Sequence, residues 1–251
     1  MRANCKTVIV LLITELLITG SLRSQQPEEG VYTNPQAHPE ELSSLRGHFE
    51  RIFDDGQSVD SINGEFYYFD HSKIFFDIKY PLHQIMIIDN KITIIFYPSS
   101  RKAFRLESAN PIVLPLIPGL IAAIKSDYGL SDIGFKLLNQ EIKGDTIITF
   151  WSHPELKEKI GNYEIAEVND HLVYSIYEAP DGLASNKTNF SKFISAKGFD
   201  FPTKIESEIY SRERYALEKV TLDDVEVNET IPAKISNFKI PESVQIEEKK
   251  W

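Results

Sequence analysis

The sequence predicts a mostly β protein: one antiparallel sheet, open or curled, with an N-terminal helix and a helical insertion. Three observations carry this. Short stretches of alternating apolar and polar residues recur along the chain, separated by turn residues. Their spacing is too regular and too close for alternating strand–helix–strand units. Residues 110–129, NPIVLPLIPGLIAAIKSDYG, break the pattern with Pro111, Pro115 and Pro118, which exclude one continuous helix and a central strand.

The 251 residues suffice for one large domain or two small ones, and 42% hydrophobic with 25% charged residues is ordinary for a chain with a real core. Residues 1–24 read as a secretory signal: Arg2 and Lys6 precede the apolar run VIVLLITELLITG, and small residues follow it. That run is too short to span a bilayer. Cys5, the single cysteine, lies before it, so the exported chain is expected to carry no disulfide. Residues 25–36 read as a flexible lead-in, and 37–251 as a single domain. The formal charge is −10, and losing residues 1–24 makes it more acidic. Such a surface repels nucleic acid and anionic membranes.

Within the domain, a helix is expected from His38 to Phe53, with Leu42, Leu45, Phe49, Ile52 and Phe53 on one stripe and Asp54-Asp55-Gly56 ending it. Glu65–Phe69 and Ile74–Tyr80 read as strands around the polar corner Asp70-His71-Ser72, with Ile74, Phe76 and Ile78 on one face. His83–Ile88 and Lys91–Tyr97 form a hairpin at Asp89-Asn90 that places Ile85, Ile87, Ile92, Ile94 and Phe96 together. Lys102–Glu107 adds a strand. Gly119–Lys125 can form a short helix, with Leu120, Ile121 and Ile124 along one side. Further strands are expected at Phe135–Ile142, Thr146–Ser152, Tyr163–Val168, Leu172–Tyr177, Lys204–Tyr210 and Tyr215–Val227, and a loop at Ala179–Asn189.

Catalytic chemistry is nearly silent. Asp70-His71-Ser72 cannot be a hydrolase triad, because three neighbours in one turn do not converge on a reacting atom. His38, His48, His71, His83, His153 and His171 show no metal-ligand spacing. The chain is therefore expected to be no enzyme and to hold no metal or cofactor. Asn186, Asn189 and Asn228 begin Asn-x-Ser/Thr triplets, which matter only in a host that glycosylates exported proteins. The positive signal is apolar excess in the strands from Tyr67 to Phe96. It serves either as plain core or as the wall of an apolar cavity, and periodicity alone does not separate the two. A one-residue shift of register would also exchange the faces.

The order of short motifs resembles the periplasmic carriers of outer-membrane lipoproteins, the LolA-type family. The likeness runs through Gly64-Glu65-Phe66-Tyr67, Ile74-Phe75-Phe76-Asp77, Pro81, Ile85-Met86-Ile87-Ile88-Asp89-Asn90-Lys91 and Phe96-Tyr97-Pro98. It continues in Phe201-Pro202-Thr203-Lys204-Ile205, Val225–Asn228 and Phe238–Val244. The resemblance implies an unclosed antiparallel β-barrel, or strongly curved sheet, whose concave face is covered by an N-terminal helix and a helical lid. It implies a monomeric periplasmic carrier that shelters the acyl chains of lipoproteins or related lipids. An inner-membrane donor complex and an outer-membrane receptor would be its partners. The alternative is a lipid- or protein-sensing envelope module of the same fold. The implied acyl cavity comprises Tyr67, Phe69, Ile74, Phe76, Ile78, Ile85, Ile87, Ile92, Ile94 and Phe96. The implied lid carries Leu114, Leu116, Leu120, Ile121 and Ile124, and the helix turns Leu42, Leu45, Phe49 and Ile52 to the cavity. At the position of the family's lid-latching arginine this chain has Asp70, with Lys73 nearby.

Overall fold

The computed structural model describes residues 42–70, 73–89, 91–107, 127–212 and 214–250. Fourteen strands build one sheet: β1 (Leu45–Asp54), β2 (Val59–Phe69), β3 (Lys73–Tyr80), β4 (Gln84–Asp89), β5 (Ile92–Tyr97), β6 (Lys102–Glu107), β7 (Lys136–Lys143), β8 (Thr146–Ser152), β9 (Asn162–Val168), β10 (His171–Glu178), β11 (Ala184–Ala196), β12 (Phe199–Ser211), β13 (Arg214–Val227) and β14 (Ile246–Lys250). The helices described are single turns, at Ser131–Ile133, Lys157–Ile160 and Ala233–Ser236. The chain is mostly β, and its sheet is unclosed and strongly curved.

The strand order, β14-β6-β5-β4-β3-β2-β1-β13-β12-β11-β10-β9-β8-β7, describes two antiparallel meanders. The first, β1 to β6, and the second, β7 to β13, join where β1 pairs with β13. β6 and β7, consecutive in the chain, therefore lie at opposite ends of the sheet, and the described end of their connection places Leu130 and Phe135 in the core. β14 returns to the first edge, parallel to β6. Turn chemistry follows the backbone demand: Asn169 and Asp170, both at positive φ, join β9 to β10, and Gly144 turns β7 into β8.

The expected strands are present, most of them extended by a residue or more. Two expectations fail. The stretch predicted as a helix from His38 to Phe53 is a strand wherever it is described beyond Ser44. Leu45, Phe49 and Phe53 are also spaced for a strand, with Arg46, His48 and Glu50 between them. Pairing on both sides, with β2 and β13, decides for the extended form. Ile52 consequently faces away from Leu45 and Phe49. Gly47 fits this outcome: a Cβ there would lie 2.9 Å from the Asp223 carbonyl and 3.0 Å from the Phe66 ring. Opposite it, the register shifts in a bulge and Asp224 takes positive φ. The loop expected over Ala179–Asn189 is also shorter, because β11 begins at Ala184. Its polar residues obscured the alternation. The lid residues Leu114, Leu116, Leu120, Ile121 and Ile124, with residues 1–36, lie outside the described residues.

Gly64 tests the packing of β2 against β3. A Cβ there would collide with the Asp77 carbonyl oxygen and lie 2.8 Å from the Ile78 Cα, both backbone atoms of β3. Gly64→Ala should lower stability by about 3 kcal/mol through forced overpacking, read as a shift of the urea midpoint at constant slope.

Candidate functional site

The two faces of the sheet differ in extent. On the face that we term inner, one buried apolar cluster crosses the molecule from Leu106 on β6, through Met86, Phe76, Phe66 and Phe49, to Leu222, Phe201, Phe190, Ile165 and Trp151 on β8. The outer face carries its apolar cluster over the first meander. There Tyr67, Phe69, Phe75, Ile85, Phe96 and Ala103 are covered by a C-terminal strap carrying Ile231, Ile235, Phe238, Ile240 and Val244. On β12 and β13 the outer face carries charges, with Lys204 and Lys219 reaching Glu206 at 2.7 and 3.9 Å. A sheet that buries one face along nearly its whole width curls around that face.

Register assigns each expected site residue to a face. Ile78 pairs with Gln84, Phe76 with Met86 and Ile74 with Ile88, so these share the inner face. Phe75 pairs with Ile87, and Ile87 with Ile94, on the outer face. The expected cavity set therefore divides. Ile74, Phe76 and Ile78 point inward, whereas Tyr67, Phe69, Ile85, Ile87, Ile92, Ile94 and Phe96 point outward. The hairpin partners were grouped correctly among themselves. The turn from Lys79 to His83 sets which face they take, and its parity is not written in the strands. Of the residues expected on the helix, Leu42, Leu45 and Phe49 do lie in the inner cluster.

Inner residues that hydrophobicity did not single out are Phe66, Met86, Ile88, Ile95 and Tyr97, together with the second-meander side chains. Phe49 meets Phe76 edge-on at 5.5 Å, and Phe135 meets Tyr163 likewise at 5.2 Å. Within this face two buried hydroxyls, Thr93 Oγ1 and Tyr128 Oη, have no hydrogen-bond partner among the described residues. Thr93 stands opposite Ile88 and Leu106 and is only 4% exposed. Buried polar atoms without partners are rare and ask for an explanation. Among the described residues no group of three His, Cys, Asp or Glu could hold a metal ion. No described helix is long and apolar enough to cross a membrane. Asp70, at positive φ, holds Lys73 Nζ at 3.1 Å on the exposed corner between β2 and β3.

On the outer face Tyr67 donates to Glu65 Oε2 at 2.9 Å. Burial, then that bond, pushes its phenol up to about 12.

No family model and no curated protein matches the chain. Solved structures do. A LolA superfamily protein of Nitrosomonas europaea matches with TM-score 0.50 and 15% identity, over 77% of this chain and 89% of that one. An outer membrane lipoprotein-sorting protein domain of Vibrio parahaemolyticus gives TM-score 0.52 and 9% identity, over 78% and 90%. A DUF1329 family protein of Desulfovibrio piger gives TM-score 0.54 and 11% identity, over 81% and 92%. The fold is LolA-like.

Two outcomes are expected. Thr93→Val removes an unpaired buried hydroxyl at nearly constant volume and should stabilise the lipid-free protein by about 1–2 kcal/mol in urea unfolding. For Tyr67 the folded pKa lies above that of the unfolded chain, so its contribution is complete below about pH 10 and is lost as pH rises towards about 12. Tyr67→Phe should flatten that alkaline fall in stability.

Proposed function

We propose that the chain is a periplasmic carrier that shelters acyl chains of lipoproteins, or of related lipids, on its inner face and delivers them towards the outer membrane. The observation that carries this reading is the inner face itself, one apolar surface spanning both meanders of a sheet that remains unclosed. An ordinary core needs no such breadth. The partnerless hydroxyls of Thr93 and Tyr128 on that face support the same reading, because a bound ligand with polar atoms would satisfy them. The structural neighbours in Nitrosomonas and Vibrio, a LolA superfamily protein and an outer membrane lipoprotein-sorting protein domain, support it.

The energetics suit a shuttle. Each buried methylene is worth about 0.8 kcal/mol, so a long acyl chain costs on the order of 10 kcal/mol to expose to water. A carrier must offset most of this and still release its load. An open sheet does both, since its edges part without breaking the ladder between neighbouring strands. Binding, not covalent chemistry, is the activity, with the lipid cargo, a membrane donor and an outer-membrane receptor as partners of a monomer. Export by residues 1–24 would place the protein in the periplasm.

The test is lipid mass spectrometry on protein purified under native conditions. Stoichiometric acyl lipid or lipoprotein is expected. Phe76→Gln, on the inner face, should reduce bound lipid at least tenfold, while Phe75→Gln, on the outer face, should leave it in place at a similar cost in stability, about 3 kcal/mol each. Lipid-free protein that also refuses added acyl chains would make the inner face plain core and leave a sensing or docking module as the better account.

A further inference from the structure

The inner face is not apolar from end to end. Near the end of β1, Arg51 stands opposite Val220 and is only 9% exposed. Its Nε donates to Glu218, which is 3% exposed, and its guanidinium lies 5.2 Å from the Phe53 ring. Among the described residues the two terminal amino groups of Arg51 donate to nothing. From Glu218 a row of polar side chains runs across the same face. Glu218 faces Ser207, Ser207 faces Thr188, and Thr188 faces Ser175. The Thr188 and Ser207 hydroxyls lie 2.9 Å apart, and Thr188 donates to Asn186 Oδ1 at 3.3 Å. Ser207 must then donate to Thr188, which leaves its own oxygen as an acceptor.

A guanidinium carries N–H donors in a fixed fork, and the amino groups that Glu218 does not engage can donate to a ligand oxygen. We infer that Arg51 and Ser207 hold the uncharged polar linkage of the cargo, an ester or amide carbonyl that joins an acyl chain to its head. Arg51 donates to the carbonyl oxygen, and Ser207 accepts from a neighbouring hydroxyl or N–H of the head. The charges select this chemistry over an anion. Glu218 already neutralises Arg51, and Asp60, opposite Phe53 on β2, adds only negative charge to the same side. A free carboxylate or a phosphate would meet no net positive field. The tails would then run along Val220, Phe49 and Phe76, away from the row. The inference rests on the carrier reading and gives its cargo a polar anchor.

The exported, delipidated protein is titrated with hexadecane, oleate and 1,2-dioleoylglycerol, following displacement of an environment-sensitive fluorophore. Dioleoylglycerol should bind most tightly. Arg51→Lys keeps the ion pair but loses the fork, and should weaken dioleoylglycerol about tenfold while hexadecane binding is unchanged. The double variant Arg51→Met with Glu218→Leu removes both charges without stranding either, and should give the same selective loss if the lysine variant fails to fold. Native preference for oleate would overturn the choice of an uncharged linkage. Unchanged dioleoylglycerol affinity in a folded variant would reduce the pair to a structural bridge and leave the carrier reading intact. Failure of the native protein to bind any of the three would remove both.

Discussion

The pairing of β1 with β13 is the constraint on which the rest of the molecule depends. Each meander alone is a half-sheet with an unpaired edge and a half-covered apolar face. Joined along Leu45–Val227 through Asp54–Leu217, they form one surface, and Phe49 and Leu222 sit side by side at its centre. The backbone groups of β1 are then satisfied on both sides, which a helix at this place could achieve only by giving up both ladders. Gly47 makes the approach possible. Its missing side chain is the space into which the Phe66 ring and the Asp223 carbonyl fit.

The inner face combines two solvents in one surface. Over β2 to β6 it offers chiefly aliphatic and aromatic side chains. Towards the far end of β1 it turns polar along Glu218, Ser207, Thr188 and Ser175, one residue per strand in a straight row. Such a surface suits an amphiphile better than a hydrocarbon, because each part of the ligand finds the environment that it would otherwise leave water to lose. The outer face is organised differently. Its apolar patch is confined to the first meander and is sealed by the chain's own C-terminal strap, with Phe238 edge-on to Phe75 at 5.4 Å.

Much of this was legible in the sequence, for physical reasons that differ by element. Lys102–Glu107 and Thr146–Ser152 were read with their observed bounds because alternation and turn residues agreed there. β1 was misread because Leu42, Leu45, Phe49 and Ile52 satisfy a helical period as well as Leu45, Phe49 and Phe53 satisfy a strand. Only tertiary pairing separates the two. β11 was missed because its inward positions at Asn186 and Thr188 are polar, so the signal that marks a strand was absent where the face carries its polar row. The division of the expected cavity residues between faces came from the single turn after Tyr80. Strand patterns give relative parity within a strand, and a turn of unknown register carries no memory of it.

The seam between β1 and β13 also governs how the molecule is made. Leu45 meets Val227 across nearly the whole described chain, so the central contact is among the least local that the sequence can form. Loop closure on that scale is a slow step. In chain order the first meander emerges long before its partner strand does, and β1 must wait with one ladder open and Phe49 uncovered. A folding route of this kind leaves an apolar strand exposed until β13 arrives. It also makes a prematurely ended chain sticky rather than partly active.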